Sequence, residues 1–388
     1  MERNADRIMT THTGSLARPS GLVALIQAKH KGQPYDHDAF EEQSRAAVED
    51  VVRKQSAVGI DIIGDGEQSK SSFRSYIDER VSGFEEIDPS DRESDYMTSR
   101  EWQAFPEFYR EEVEFAHRSI RPLTCTGPLK YTGRAELQAD IDHLKAAAAT
   151  VGHEDVFLTA VSPTYGAATT PNLHYATYEE YEEAWADVVR EEYRAIVDAG
   201  LIVQIDDPRW ITYYTLHPEL SVEEWRRWAE QRVDVINYAL RGIRADRVRF
   251  HTCYSINIGP RVHELDLKDI VDLMLRIDVG GYSFEAANPR HEHEYHVWED
   301  IKLPEGKKLI PGMITHTTNL VEHPELVAER IVRYANAVGR ENVIAGADCG
   351  FSTNARDEYE IHPTVVWPKL TALAEGARLA TKRLWGRT

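Results

Sequence analysis

The run Leu201-Ile202-Val203-Gln204-Ile205-Asp206-Asp207-Pro208 follows a helical stretch at 178–199 and precedes another at 222–243. A short apolar run between helices reads as a buried strand. This one ends in two carboxylates and a proline, so its C-terminal end is suited to chemistry. The same phrasing recurs along the chain. Apolar runs at 10–16, 61–67, 123–129, 156–163, 248–254, 281–287, 309–316 and 343–351 alternate with stretches of helical spacing, among them 324–338. Thr177 and Ser221 stand ahead of acidic first turns, as helix caps do. Alternating strands and helices point to parallel βαβ units.

With 201–208 included, the runs number nine. An α/β protein of the (β/α)8 TIM-barrel type needs eight strands, which leaves one extra or shared. The rival is an open doubly wound sheet, but no glycine-rich phosphate loop follows a strand. The runs also end in Gly-Ser, Gly-Glu, Gly-Pro, Asp-Asp-Pro, His-Thr-Cys, Phe-Glu, Thr-His and Asp-Cys-Gly. A barrel gathers such C-terminal ends into one active-site rim.

The 388 residues, 42% hydrophobic and 28% charged, are expected to form a single domain spanning 1–388. A net charge of −20 argues against nucleic acid and against an anionic membrane surface. Three cysteines make no disulfide framework and suit a reducing interior. The N-terminus, residues 1–11, is charged and lacks the apolar stretch of a signal peptide, and no run approaches the ~20 residues of a membrane span. A cytoplasmic location follows. Residues 80–118 break the rhythm with acidic and aromatic residues, including Trp102, Phe105, Phe108 and Tyr109. They read as an inserted, partly helical segment, either a lid over the site or a peripheral addition. Residues 363–384 read as a final helix.

Two of the cysteines lie at strand ends, in Phe250-His251-Thr252-Cys253-Tyr254 and Gly346-Ala347-Asp348-Cys349-Gly350. A His-x-Cys on a strand presents both side chains on one face. Imidazole and thiolates form a zinc-type ligand set, here His251, Cys253 and Cys349, which Glu285 at the end of the intervening strand would complete. The histidine-rich segment His291-Glu292-His293-Glu294-Tyr295-His296 reads instead as a helix start or as support for the site. A zinc with two thiolates is a weak Lewis acid, better suited to holding a substrate thiol as thiolate than to activating water. The bound sulfur would then attack an alkyl carbon. Asp206 and Glu67 suit an ammonium group, Ser15 a carboxylate, and His316 is the best proton donor for a leaving group.

These phrases resemble the catalytic C-terminal barrel of cobalamin-independent methionine synthase. The matching stretches are Thr11-His12-Thr13-Gly14-Ser15-Leu16-Ala17-Arg18-Pro19, Gly64-Asp65-Gly66-Glu67, Gln204-Ile205-Asp206-Asp207-Pro208, His251-Thr252-Cys253-Tyr254, Phe284-Glu285, Thr315-His316 and Asp348-Cys349-Gly350. They stand in family order and span almost the whole chain. The resemblance implies a TIM barrel of the methionine synthase/uroporphyrinogen decarboxylase type, with Zn2+ on His251, Cys253, Glu285 and Cys349. It implies an amino-acid thiol such as homocysteine held by Ser15, Glu67 and Asp206, with His316 as proton donor to the departing methyl carrier. The activity implied is that of a zinc-dependent S-methyltransferase of methionine biosynthesis, 5-methyltetrahydropteroyltriglutamate-homocysteine S-methyltransferase-like.

The chain also departs from the family. It begins directly at the catalytic barrel, without the N-terminal barrel that helps hold the folate tail. The tryptophan that stacks on the pterin has no counterpart near 159–165. Ile-Asp-Glu-Pro is replaced by Ile205-Asp206-Asp207-Pro208, and Gly-Glu-Pro-Glu-Arg by Gly66-Glu67-Gln68-Ser69-Lys70. The zinc–thiol half of the reaction therefore transfers better than the folate half. Partners are a small-molecule thiol and an alkyl donor, whether methyl-folate or methyl-corrinoid, with a corrinoid protein left open. Epoxyalkane:coenzyme M transferases resemble the same single-barrel form. Their sulfonate would need a basic pocket, for which Arg18, Arg74, Arg209 and Arg290 are the candidates. A decarboxylase of the uroporphyrinogen type would leave the two cysteines unexplained.

Overall fold

The computed structural model describes residues 6–87, 95–110, 123–254, 259–356 and 361–386. Its strands are β1 (Met9–Thr10), β2 (Ile63–Gly64), β3 (Val81–Glu86), β4 (Leu123–Tyr131), β5 (Val156–Val161), β6 (Ile202–Asp206), β7 (Val248–Thr252), β8 (Gly281–Phe284), β9 (Lys308–Ile314) and β10 (Ile344–Ala347). Eight of them pair in parallel in the order β1-β10-β9-β8-β7-β6-β5-β2. A parallel bridge between Thr11 and Ile62 joins the two outer strands, so the sheet curls into the expected (β/α)8 barrel.

The ninth run is now placed. The stretch at 123–129 lies outside the barrel, where β4 pairs antiparallel with β3, with Phe84 opposite Cys125. This ribbon packs on the helix Tyr178–Asp198, with Phe84 stacked on Trp185 at 5.7 Å between ring centres. Cys125, the third cysteine, is buried there, away from the other two. The strand at β3 was not expected from its sequence, because Val81-Ser82-Gly83-Phe84-Glu85-Glu86 has only two large apolar residues.

The helices follow their local chemistry. Thr177 caps Tyr178–Asp198 by accepting from the Glu180 amide, and that helix buries Tyr181, Trp185, Val188, Val189 and Ile196 at helical spacing. Ser221 and Glu224 form a reciprocal capping box at the start of Val222–Leu240. The helices at Pro324–Val338 and Pro363–Trp385 also lie where the sequence placed them. Part of the 80–118 insertion, at 88–94 and 111–118, lies outside the described residues. The helix Arg100–Ala104 within it packs on the loop after β7: the Glu101 carboxylate accepts from the amides of Val262 and His263 at 2.7 and 2.6 Å.

Inside the barrel, Ile62, Phe157, Ile202, Ile310 and Ile344 form a separate apolar cluster. On β6 the lumen-facing side chains run Ile202, Gln204, Asp206, so this cluster plugs the N-terminal end and polarity rises toward the C-terminal rim. Between β9 and β10 the register slips, with Gly346 opposite Gly312 and Ala347 opposite Ile314. Such an irregularity re-aims the residues beyond it, here Asp348 and Cys349. It also brings the strands very close. A Cβ at Gly312 would collide with the Asp348 carboxylate and lie 2.7 Å from its backbone nitrogen. Gly312→Ala is therefore expected to destabilise the fold by about 3 kcal/mol, the range for overpacking a rigid core. Urea unfolding measures this, and an unchanged midpoint would mean that these strands have slack.

Candidate active site

On β7, alternation puts Arg249, His251 and Cys253 on the lumen side. Arg249 reaches across the barrel and donates to Thr11 Oγ1 and the His12 carbonyl, both at 2.9 Å. Cys349 follows β10 directly after Asp348. The Cys253 and Cys349 sulfurs stand 3.5 Å apart. A ring nitrogen of His251 and these two sulfurs all lie within 4.8 Å of one another, and all three residues are buried. Two thiolates bound at ~2.3 Å to one tetrahedral zinc sit about 3.8 Å apart, so the spacing fits that ion.

The histidine is set for the same role. Its Nδ1 lies 3.0 Å from Ser283 Oγ, the neighbouring residue in register on β8, while its buried Nε2 has no hydrogen-bond partner among the described residues. A second partner that orients a ring through one nitrogen and leaves the other bare is the usual arrangement around a ligating histidine. Burial, with the charges of Arg249 and His316, pushes His251 down to about 3, so the imidazole is neutral and Nε2 keeps a lone pair. Cys349 is pushed well above the ordinary thiol range, first by the adjoining Cys253 and then by burial. Two touching sulfurs ionise together only beside a cation.

Glu285, just past β8, stands beside this trio rather than within it. Its oxygens accept from the Tyr254 amide at 2.8 Å, from Asn288 Nδ2 at 2.7 Å and from Arg261 Nη2 at 2.9 Å. It groups instead with His316 and Asp348, whose ligand atoms lie within 4.8 Å of one another. Asp348 Oδ1 accepts from the amides of Ala286 and Ala287 at 2.7 and 2.8 Å, while its buried Oδ2 has no hydrogen-bond partner among the described residues. His316 therefore stands in one buried group with the two carboxylates of Glu285 and Asp348.

The three residues expected to hold substrate lie at the C-terminal ends of β1, β2 and β6, with β5 between the last two. Asp206 is in register with His251. It accepts from Gln204 Nε2 at 2.7 Å, and its acidity is weakened well beyond the usual carboxylate range, first by burial and then by the charge of Glu67. Glu67 has a left-handed backbone, φ 56°, unique among described non-glycine residues. The turn is held by Arg18 Nε, which donates to the Glu67 carbonyl at 3.0 Å. Burial raises Glu67 against the opposing charges of Lys70 and Arg18. Two mutually repelling buried carboxylates are relieved by a positive charge placed beside them. Ser15 packs against the Cys349 turn: its carbonyl accepts from the Phe351 amide at 3.0 Å, and a Cβ on Gly350 would strike its hydroxyl. Asp207, on the opposite side of the strand from Asp206, accepts from Ser162 Oγ at 2.5 Å and from the Trp210 amide at 2.9 Å, so its work is structural.

Residues 178–363 match the family described as cobalamin-independent synthase, catalytic domain. The methionine synthase of Sulfolobus acidocaldarius is 24% identical over 88% of this chain and 85% of that protein. The methionine synthase of Thermococcus kodakarensis is 22% identical over 97% of this chain and 94% of its own length. Among solved structures, a B12-independent methionine synthase from Shewanella sp. W3-18-1, in complex with selenomethionine, superposes with a TM-score of 0.70 at 19% identity, covering 98% of this chain and 99% of that one. The chain resembles the catalytic barrel of cobalamin-independent methionine synthase. A putative vitamin-B12 independent methionine synthase from Listeria monocytogenes shares the fold, with a TM-score of 0.64 at 20% identity over 96% of this chain and 98% of that one.

Within this methionine synthase-like barrel, several contributors escaped the sequence reading. Ser283 carries no motif of its own, though its period-two position between Gly281 and Glu285 places it beside His251. Asp348 stood in view inside Asp-Cys-Gly. Arg261 lies in an irregular loop without periodicity. The histidine-rich segment supports the site. His291 is buried, stacked on Tyr254 at 3.7 Å, with Nδ1 2.7 Å from Glu294 and Nε2 2.9 Å from Glu264. Both ring nitrogens are occupied, so it has none left for a metal.

Burial alone would lower His291, but hydrogen bonds to Glu264 and Glu294 prevail and push it up to about 9. Folding therefore binds a proton that the unfolded chain holds less tightly. The associated stability is full below the unfolded value of about 6.5 and is lost as pH rises through about 9. Wild type should lose on the order of 2 kcal/mol more than His291→Gln between pH 6 and 9.5, as read by urea unfolding. Parallel loss in both proteins would refute a charged His291.

Proposed function

We propose that this chain is a zinc-dependent methyltransferase that converts homocysteine to methionine. The observation that carries this reading is the buried trio of His251 Nε2, which has no hydrogen-bond partner among the described residues, and two thiols 3.5 Å apart, set beside the Glu67–Asp206 pair. His251, Cys253 and Cys349 would hold the zinc, with Glu285 as the fourth ligand. A bound zinc lowers the pKa of a substrate thiol and keeps its sulfur nucleophilic at neutral pH. Asp206 and Glu67 bind the substrate ammonium group, and Ser15 the carboxylate. His316, grouped with Asp348 and Glu285, protonates the departing carrier. The methyl donor is a methyl-folate or a methyl-corrinoid. Relatives named methionine synthase, and the selenomethionine complex of the Shewanella protein, support an amino-acid acceptor.

The charge pattern disfavours a sulfonate-bearing thiol. Arg74 is engaged with Asp78 at 2.6 Å and Thr170 at 2.9 Å, and Arg290 with the Val262 carbonyl at 2.7 Å. The pocket itself is acidic. Among the described residues, no helix is long and apolar enough to cross a membrane.

Zinc-edge X-ray absorption should show one new sulfur ligand when homocysteine is added and none with coenzyme M. Cys253→Ser and Cys349→Ser should each lose stoichiometric zinc. A protein that binds zinc but gains no sulfur with homocysteine would sink this reading. Asp206→Asn should weaken homocysteine on the order of 100-fold, the usual loss when a buried charge loses its partner, while leaving ethanethiol binding unchanged. Equal weakening of both thiols would remove Asp206 from the ammonium pocket.

A further inference from the structure

Glu285 is the one proposed metal ligand that is already claimed by a cation. Arg261 donates through Nη2 to Glu285 at 2.9 Å and through Nε to Glu264 at 2.6 Å. Glu264 in turn lies 2.9 Å from His291, whose other nitrogen lies 2.7 Å from Glu294. Charges alternate along this buried chain from Glu294 to Glu285. Its loop is pinned on both sides of the backbone. The Glu101 carboxylate takes the amides of Val262 and His263, and Arg290 donates to the Val262 carbonyl at 2.7 Å. The guanidinium is therefore placed by the inserted helix Arg100–Ala104 as well as by the barrel.

A guanidinium keeps its charge at any working pH, so Arg261 does not release Glu285 by losing a proton. Only another cation competes for the carboxylate. Two carboxylate oxygens offer about four acceptor positions, and here three donors use them: Arg261, Asn288 and the Tyr254 amide. Capacity remains, and the charge of Glu285 already acts on Cys349.

Resting on the metal-site reading above, we propose that Arg261 is a positioning residue that competes with the cation at His251, Cys253 and Cys349 for the Glu285 carboxylate. By holding Glu285 partly away, it weakens the fourth ligand and leaves that position open to a thiol. Glu285 remains anionic in either position, so no proton or electron changes hands in the exchange. The inserted segment, through Glu101, sets how firmly the carboxylate is held back.

Zinc affinity, titrated against a chromophoric chelator, tests this in wild type, Arg261→Gln, Arg261→Lys, Glu285→Gln and the Arg261→Gln/Glu285→Gln double variant. Arg261→Gln should bind zinc roughly tenfold tighter than wild type, because a charge-assisted hydrogen bond no longer opposes the metal. It should also bind homocysteine more weakly. Arg261→Lys, which keeps the charge but loses the forked geometry, should fall between, and it decides the matter if Arg261→Gln does not fold. In the Glu285→Gln background, replacing Arg261 should change nothing. Unchanged or weaker zinc binding in both Arg261 variants, or the same change with and without Glu285, overturns the proposal. If wild type binds zinc yet adds no sulfur from homocysteine, the methyltransferase reading fails while the Arg261–Glu285 coupling is still decided by the zinc titrations. A wild-type protein that binds no zinc overturns both.

Discussion

The parallel register of β6, β7 and β8 sets Asp206 beside His251 and His251 beside Ser283. Everything in the site hangs on that alignment. A slip of one residue on β7 would turn His251 and Cys253 outward into the helices and bring Phe250 into the lumen, since strand side chains alternate. The register is held from both sides. Outward, Phe250 packs against Trp210 in the layer between barrel and helices. Inward, Arg249 spans the lumen to the first strand and lies 3.6 Å above the Phe157 ring. Burial and charge at the floor of the lumen thus determine which atoms reach its rim.

Crowding is the consequence. Asp206, Glu67, Glu285 and Asp348 are all buried near the rim with two thiols, and burial raises each of these carboxylates above its ordinary range. Desolvated anions this close are costly unless a positive charge joins them. Two kinds of positive charge match the two halves of the site. The sulfurs and imidazole suit a soft metal ion, and the Glu67–Asp206 pair suits an ammonium group. The close stitching of chain ends keeps the halves adjacent: Ser15, after the first strand, touches the Cys349 turn after the last.

Much of this could be read from sequence because it rests on local periodicity. The His251-x-Cys253 spacing, the strand-end Asp206 and the capped helices depend on two- and 3.6-residue repeats. The sorting of Asp206 from Asp207 follows the same alternation, although only the structure shows that Asp207 accepts from the Trp210 amide in the first turn of the helix Arg209–Leu216. What escaped depends on contacts between distant segments. The antiparallel pairing of β3 with β4 has no short connection to announce it. The run at 123–129 has the apolar look of a barrel strand, yet it packs outside. Arg261 and Glu101 carry no pattern, and their meaning arises only where a loop after β7 meets an insertion that follows β2.

The proposed choice of an amine over an anionic head group rests on the charge balance around Glu67 and Asp206. Lys70 is buried at the rim, but it donates to the Thr159 carbonyl at 2.5 Å and to its hydroxyl at 3.0 Å, and it sits 4.3 Å from the Tyr76 ring. Arg18 likewise donates to the carbonyls of Glu67 and Ser352, at 3.0 and 2.7 Å. Arg18 also lies 3.7 Å from the Glu67 carboxylate, so both cations are committed to groups of the protein and lessen the repulsion between Glu67 and Asp206. A sulfonate entering here would add a third anion to two buried carboxylates. At an effective dielectric of about 20, each like-charge contact near 4 Å costs about 4 kcal/mol. An ammonium gains by the same measure, and the left-handed turn at Glu67 is held by Arg18 Nε on its carbonyl and by Thr159 Oγ1, which donates to its carboxylate at 3.2 Å.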